Sequence, residues 1–331
     1  MRELVRTNNA VLVSAVGALL DGAGIPHMVL DRHMSVVEGS LGILPCRILV
    51  DDEHHQEARR VLEDAGLAHE LPPLPADERA HTTDDAILGG RVRLTQPRRG
   101  HRVGHDAVLL AAATPARPGD HVVELGAGVG AAGLALAVRV PGSELTLVEV
   151  DPTLAKIAAE NIARNGLQTR VRVAMLDIGA GGEKFTKAGL PSGCADHVMM
   201  NPPFNDPAET QVSPDPQRRA AHSAPLSALA LWVEASWMLL HAAGTLTMIW
   251  RADGLADVLA ALTPRFGGIA ILPVHGRPDR PAIRVLVRAA KQSRAPLSLL
   301  PPLLLNDLHG RPTAQAERVL RDAEPLSLAQ S

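Results

Sequence analysis

Asn201-Pro202-Pro203-Phe204 follows the apolar run Val198-Met199-Met200, and its residue types describe a way to hold a planar amine. A strand ending in Asn-Pro-Pro-aromatic presents a carboxamide oxygen and a neighbouring backbone carbonyl as paired acceptors, beside a ring on which a flat group can stack. The prolines lack an N–H and have a fixed φ, so the turn is stiff and its carbonyls point outward instead of joining a helix or ladder. An exocyclic amino group that donates to both acceptors is drawn out of conjugation, and its nitrogen lone pair becomes available for attack. That is the chemistry of amine methylation. It needs no general base: orientation of the amine toward the methyl donor can carry the step, with the proton lost to water. Phe204 is one of three phenylalanines in a chain with no tyrosine, which gives an aromatic here more weight. Its plainer reading is a core ring at a strand end.

A second constellation lies upstream. Glu124-Leu125-Gly126-Ala127-Gly128-Val129-Gly130 closes one apolar run and opens another with helical spacing. Its glycines allow a tight turn and close approach of the backbone to a ligand, and the following helix offers free N–H groups. Alone such a run is a weak signal. Glu149, in Leu147-Val148-Glu149-Val150-Asp151, falls roughly 20 positions further on, where an acid can accept hydrogen bonds from both hydroxyls of a ribose. The plainer reading of Glu149 is a carboxylate favoured by a helix dipole. Asp177, in Met175-Leu176-Asp177-Ile178, is either an acceptor for an adenine amino group or a turn residue. A dinucleotide oxidoreductase shares the glycines and the acid but has no need of Asn-Pro-Pro-Phe.

These residues need a frame. From 86 to 326 strands and helices alternate, with strands expected near His121–Leu125, Glu144–Val150, Val171–Leu176, Asp196–Met200 and Gly244–Trp250. Helices are expected near Gly130–Arg139, Pro152–Asn165 and Leu226–His241. Alternation of this kind predicts an α/β fold, a doubly wound Rossmann-like sheet with its ligand at the carboxyl ends of the strands. After a helix near Leu255–Leu262, two more strands near Ile269–Val274 and Ile283–Arg288 are joined by a short Gly276–Arg280 connection, so the last strand should run antiparallel. Residues 1–70 read as a separate small α+β unit resembling half of a ferredoxin-like sandwich. Its first helix should be capped by Asn8 and its last by Asp51 or Asp52. Residues 71–85, opening Leu71-Pro72-Pro73-Leu74-Pro75, read as a semi-rigid linker.

Composition bounds the function. With 331 residues, 46% hydrophobic, the chain has room for two ordinary domains. The net charge of -3 means that any contact with nucleic acid must come from a local patch. Cys46 and Cys194 suggest neither a disulfide framework nor a metal site, so a cytoplasmic setting and no metal are expected. The most apolar long stretch, Leu226–Leu240, contains Glu234 and is too short to cross a bilayer, so no membrane partner is expected.

In order and spacing, Glu124–Gly130, Val148–Asp151, Leu176-Asp177 and Asn201–Phe204 resemble the motifs of class I S-adenosylmethionine-dependent methyltransferases, whose Asn/Asp-Pro-Pro-aromatic members act on nitrogen. The resemblance implies that Gly126, Gly128 and Gly130 line the methionine and ribose portion of the cofactor, that Glu149 holds the ribose, that Asp177 meets the adenine and that Glu124 faces the ammonium. Arg99-Gly100-His101-Arg102-Val103-Gly104-His105-Asp106-Ala107-Val108-Leu109-Leu110 is similar to the segment before the first strand in bacterial tRNA adenine-N6 methyltransferases that modify the adenine 3′ of the valine tRNA anticodon. Gly104 and Asp106 are thereby implied in cofactor binding, although His105 stands where that family carries Thr or Ser. The loop Ser213–His222 and the segment Asn306–Ala316 also resemble that family. The stretch Asp31–Ser40 resembles a small bacterial domain of unknown function labelled as signal-transducing, which implies no chemistry and leaves dimerisation or regulation open for residues 1–70.

Three basic clusters bear on the partner: Arg98, Arg99, His101 and Arg102; Arg218, Arg219 and His222; and Arg277, Arg280, Arg284, Arg288, Lys291 and Arg294. Arg99, Arg102, Arg218, Arg219 and His222 are the expected substrate contacts, reaching RNA phosphates at the mouth of the site. For the third cluster a solvated face is an equal reading. The expected acceptor is adenine N6 in tRNA, an unstacked base over Phe204. Two rivals are a glutamine of a release factor, a protein N5-methylation, and a guanine N2 of ribosomal RNA. A third, from another class, is a non-catalytic regulatory module on the same fold, against which intact Gly126, Glu149 and Asn201 argue.

Overall fold

The computed structural model describes residues 2–7, 9–30, 46–51, 54–67, 70–71, 82–98, 103–203 and 224–330. The chain divides into two units, Met1–Ala80 and His81–Ser331. In the first, the side-chain oxygen of Asn9 accepts from the N–H groups of Val11 and Leu12 and so starts helix α1 (Ala10–Gly22). Asn9, and not the expected Asn8, is therefore the cap. Strands β1 (Arg2–Thr7), β2 (His27–Leu30) and β3 (Cys46–Val50) form an antiparallel sheet in the order β1-β3-β2, with helix α2 (His55–Asp64) completing the unit. A third strand inserted between the first two is the arrangement of a ferredoxin-like sandwich without its last strand. Leu4, Val16, Leu20, Ile48, Ala58 and Leu62 form the core. Helix α2 starts at His54 with no side-chain cap; Asp51 contributes only its backbone carbonyl, and Asp52 lies outside the described residues. Asp31–Ser40 and residues 72–81 of the expected linker also lie outside them.

The linker expectation fails beyond residue 81, because Thr82–Ile87 (β4) pairs with Val92–Pro97 (β5) as an antiparallel hairpin. Its local sequence is polar, and side chains far along the chain hold it. The fully buried Asn161 carboxamide accepts from Thr95 N–H at 2.7 Å and donates to the carbonyls of Thr95 at 2.9 Å and Val129 at 3.0 Å. One side chain thus ties the hairpin to the glycine-rich turn. Asn161→Ala leaves three backbone groups without that partner, the carbonyl of Val129 buried and the two groups of Thr95 partly buried, and a buried group left unpaired costs about 1–3 kcal/mol. The expected loss is about 3 kcal/mol, seen by differential scanning calorimetry as a melting transition lowered by about 6 °C for a domain of this size. A drop below about 1 °C would contradict this role.

The large sheet carries the rest. Strands β6 (His121–Leu125), β7 (Glu144–Glu149), β8 (Val171–Met175), β9 (Ala195–Met200) and β10 (Leu240–Arg251) run parallel in the spatial order β8-β7-β6-β9-β10. Next come β12 (Ala282–Lys291), antiparallel to β10, and β11 (Phe266–His275), antiparallel to β12. The short strands β13 (Ser298–Leu299) and β14 (Leu303–Leu304) pair with β11. The doubly wound sheet with an antiparallel final strand is thus as expected.

Helices α3 (His105–Ala113), α4 (Ala131–Arg139) and α5 (Pro152–Arg164) precede and connect the first strands; the short α6 (Gly182–Lys187) and the longer α7 (Ala224–Leu239) follow β8 and β9. Helix α8 (Leu255–Leu262) links β10 to β11, and α9 (Ala314–Asp322) and α10 (Ser327–Gln330) close the chain. Helix α3 buries Val108 through Ala113 without a polar face, each large apolar side chain adding about 1.5–3 kcal/mol. No helix among the described residues is long and apolar enough to cross a membrane. The chain winds from β6 toward β8 on one side and then returns to β9 on the other. The crevice between β6 and β9, at their carboxyl ends, is the switch point where a ligand fits.

Several members of the third basic cluster are structural ties. Arg288 donates to the Leu328 carbonyl, and Lys291 to the carbonyls of Trp237 and Leu240 while its ammonium lies 4.7 Å from the Trp237 ring centre. Arg277 pairs with Asp279.

Candidate active site

Four strand ends converge on the crevice. The sequence places an acid or an amide at each: Glu124 next to last in β6, Glu149 closing β7, Asp177 two residues past β8 and Asn201 directly after β9. Two adjoining cavities result, of about 670 and 470 Å³. Gly126, Gly128 and Asn201 line both.

The larger cavity is walled by Glu149, Val150, Asp177, Ile178, Pro202, Pro203, Leu231 and Trp232 as well as the shared residues. Glu149 is only 7% exposed. One carboxylate oxygen accepts from Gly128 N–H at 2.7 Å and the other from Val150 and Asp151 N–H at 2.9 Å. This bridge fixes the glycine-rich turn against the end of β7. Asp177 is exposed and accepts from Gly179 N–H at 2.8 Å, so the turn role weighed for it is real, and it also faces the cavity.

The smaller cavity is walled by Gly104, His105, Asp106, Glu124 and Arg284 among others. Glu124 is nearly inaccessible and accepts from Gly133 N–H at 2.8 Å. Burial pushes its carboxyl up to about 8; the Gly133 N–H opposes the shift and the charge of Glu149 adds to it. A carboxyl held protonated in this way is set to ionise when a cation arrives. Gly104 occupies the N-cap position of α3 with no side-chain cap, and His105, the departure from Thr or Ser, is the first helical residue after it. Asp106 does not point freely into the cavity: its carboxylate accepts from Arg284 Nε at 2.8 Å.

Asn201 stands between the cavities. Its buried Oδ1 has no hydrogen-bond partner, in a protein where such an atom costs about 1–3 kcal/mol. Pro202 is buried and Pro203 exposed. An unpaired acceptor at the shared wall of two cavities fits a site shaped for a donor that arrives with a ligand. The paired cavities, two buried acids and the N–H-rich turn fit an extended ligand with a ribose and an amino-acid tail. Among the described residues no group of three His, Cys, Asp or Glu could hold a metal ion.

The structure therefore brings Glu124, Gly126, Gly128, Glu149, Asp177, Asn201, Pro202, Pro203, Gly104 and Asp106 to one crevice. Gly130 lines neither cavity; its φ of +85° turns the chain into α4. Phe204, Arg99, Arg102, Arg218, Arg219 and His222 lie outside the described residues. Sequence reading missed Trp232, whose ring covers Gly126 so closely that a Cβ there would lie 2.4 Å from it. Its only signal was rarity, as one of three tryptophans in an otherwise featureless apolar helix. It also missed Arg284 as a cavity residue.

Residues 101–224 match the family model described as "Methyltransferase small domain", and residues 1–66 the one described as "Putative prokaryotic signal transducing protein". Two similar curated relatives carry the name tRNA1(Val) (adenine(37)-N6)-methyltransferase. That of Bacteroides fragilis is 34% identical over 153 residues, covering 46% of this chain and 61% of its own length, so the match spans less than two thirds of that relative. That of Porphyromonas gingivalis is 31% identical over 191 residues, covering 56% of this chain and 72% of its own. Among solved structures, one described as a predicted O-methyltransferase of Agrobacterium tumefaciens is 29% identical with a TM-score of 0.57, covering 66% of this chain and 97% of that one.

Proposed function

Since the chain belongs to the S-adenosylmethionine-dependent methyltransferase family that includes the tRNA1(Val) (adenine(37)-N6)-methyltransferases, we propose that it methylates an exocyclic amine of a nucleic-acid base, adenine N6 in tRNA. The observation that carries the amine assignment is the buried, unpartnered Oδ1 of Asn201 at the wall common to both cavities. The names of the relatives support an RNA substrate.

S-adenosylmethionine supplies, when bound, an electrophilic methyl group on its sulfonium. Glu149 and the turn at Gly126–Gly128 would hold its ribose, Asp177 its adenine and Glu124 its ammonium. Asn201 Oδ1 accepts one N–H of the acceptor amine, and a backbone carbonyl of the Pro202-Pro203 turn accepts the other. The amine nitrogen is thereby pyramidalised with its lone pair toward the methyl, and the extra proton leaves to water. The stiff proline turn keeps these acceptors in place, so little reorganisation is needed at the moment of transfer. Trp232 and Leu231 give the cavity an apolar wall against which a base can lie.

Glu124 makes the cofactor step depend on pH. Its carboxyl titrates near 8 in the free protein against an ordinary 4.5, so the folded state holds a proton that the unfolded chain has lost between those values. Stability of the free protein should fall as pH rises through that window. An ammonium beside Glu124 lowers its pKa, so cofactor binding should release up to one proton at about pH 6 to 7, where the cofactor's own α-amino group, ordinarily titrating near 8, arrives already protonated. Affinity should climb by at most about tenfold per unit over that range and level off at about pH 8, as the free amine loses its proton. Calorimetric titrations in buffers of different ionisation enthalpy measure the proton directly, and proton uptake or a pH-invariant affinity between about pH 6 and 7 would remove Glu124 from this role.

The function itself is tested with purified protein, methyl-labelled S-adenosylmethionine and tRNA from cells lacking the protein. Label should appear in N6-methyladenosine after digestion. Label only in another nucleoside, or no label in the tRNA while a parallel reaction with purified release factor is labelled at glutamine, would overturn the adenine assignment.

A further inference from the structure

The smaller cavity contains a charge that the cofactor motifs do not account for. Among its described lining residues Arg284 is the one lysine or arginine, set against two carboxylates, Asp106 and Glu124. Arg284 sits near the start of β12 opposite Arg251 at the end of β10, and so at the carboxyl edge of the sheet where the crevice opens. Its guanidinium is not loose: Nε donates to Asp106 Oδ2 at 2.8 Å, from a residue 178 positions away, and Nη1 donates to the Ile283 carbonyl at 3.1 Å. The two contacts fix the plane of the fork, and about 30% of the side chain remains exposed.

A site for an amino-acid zwitterion needs one acid for the ammonium and one cation for the carboxylate. Glu124 and Arg284 lie on the wall of one cavity and supply this pair, while Asp106 orients the cation. Residues of the first turn of α3, His105 to Ala107, line the same wall, and the dipole of that helix favours negative charge near its N-terminus. A planar guanidinium recognises a carboxylate through two parallel N–H donors, which an ammonium cannot do.

We propose that Arg284, held by Asp106, receives the carboxylate of the methionyl tail of S-adenosylmethionine. Arg284 is thus a cofactor-binding residue and Asp106 its positioning residue. The inference rests on assigning the smaller cavity to that tail.

The test compares S-adenosylmethionine with decarboxylated S-adenosylmethionine, which lacks only the carboxylate, by titration calorimetry on the full chain. Wild type should bind the complete cofactor more tightly by about tenfold or more, the usual scale for one charge-assisted hydrogen bond. In Arg284→Gln this preference should fall to within about twofold, with affinity for the decarboxylated compound near wild type. Arg284→Lys, which retains the charge and the apolar stem but not the fork, should give an intermediate ratio. A Gln variant that weakens both compounds equally would show Arg284 to be only a pin between β12 and α3. A Lys variant, folded by its melting temperature, whose ratio equals that of wild type would overturn the bidentate recognition. Wild type that binds both compounds without preference overturns the proposal while leaving the cofactor assignment intact; wild type that binds neither overturns both.

Discussion

Asn201→Ala should lower kcat by about a hundred- to a thousandfold, the scale of losing one preorganised contact to the reacting group, while cofactor affinity stays within a few fold. The same substitution should not destabilise the protein. In the free enzyme Asn201 Oδ1 is buried without a partner, and deleting an unpaired polar atom relieves a cost of about 1–3 kcal/mol. The melting temperature should therefore hold or rise by a few degrees. Loss of activity with unchanged or greater stability is the signature of a residue kept for chemistry at the expense of the fold. A variant with a wild-type rate would refute the role. So would one that loses rate only because it melts early.

Glu149→Ala should act on the opposite step. Its carboxylate braces Gly128, Val150 and Asp151 through three N–H groups, and the proposed site adds the ribose hydroxyls to its partners. Two charge-assisted hydrogen bonds of roughly 1.5–3 kcal/mol each correspond to a loss in S-adenosylmethionine affinity of at least about 100-fold. Removal of the brace should also lower the melting temperature by several degrees. Calorimetric titration and a thermal scan on one preparation read both effects. An affinity within threefold of wild type would exclude the ribose role whatever happened to stability.

The contrast between these residues explains what could be read in the sequence. The parallel strands announce themselves because buried strands of a doubly wound sheet are short apolar runs, and the acids at their carboxyl ends stand out against them. Glu149, Asp177 and Asn201 each follow such a run, so their convergence followed from topology alone. Helix α3 was harder to see: Val108–Ala113 is buried on every side and shows no amphipathic period. The hairpin at Thr82–Pro97 was invisible for another reason. Its strands carry Thr83, Asp84, Asp85 and Thr95, and what holds them is Asn161, Asn165 and Arg164, some 66–80 positions away. Arg284 was missed as a cavity residue for the same cause. In sequence it belongs to a run of basic residues, whereas in space its partner is Asp106. The cap at Asn9 instead of Asn8 turned on which of two identical neighbours reaches Val11 and Leu12. Long-range polar contacts leave no local pattern, and they account for two of these differences, the hairpin and Arg284.

The same reasoning separates the assignment of reaction type from that of substrate. Asn201 and the cavity walls argue for an amine and an extended cofactor. Nothing in their geometry distinguishes adenine from another flat amine, and that step comes from the relatives. Quantitative nucleoside mass spectrometry of the valine tRNA from a strain lacking this chain therefore bears most directly on the central claim. The account predicts that N6-methyladenosine disappears from that tRNA and returns with the wild-type protein but not with Asn201→Ala. An unchanged level of N6-methyladenosine in the deletion strain would contradict it.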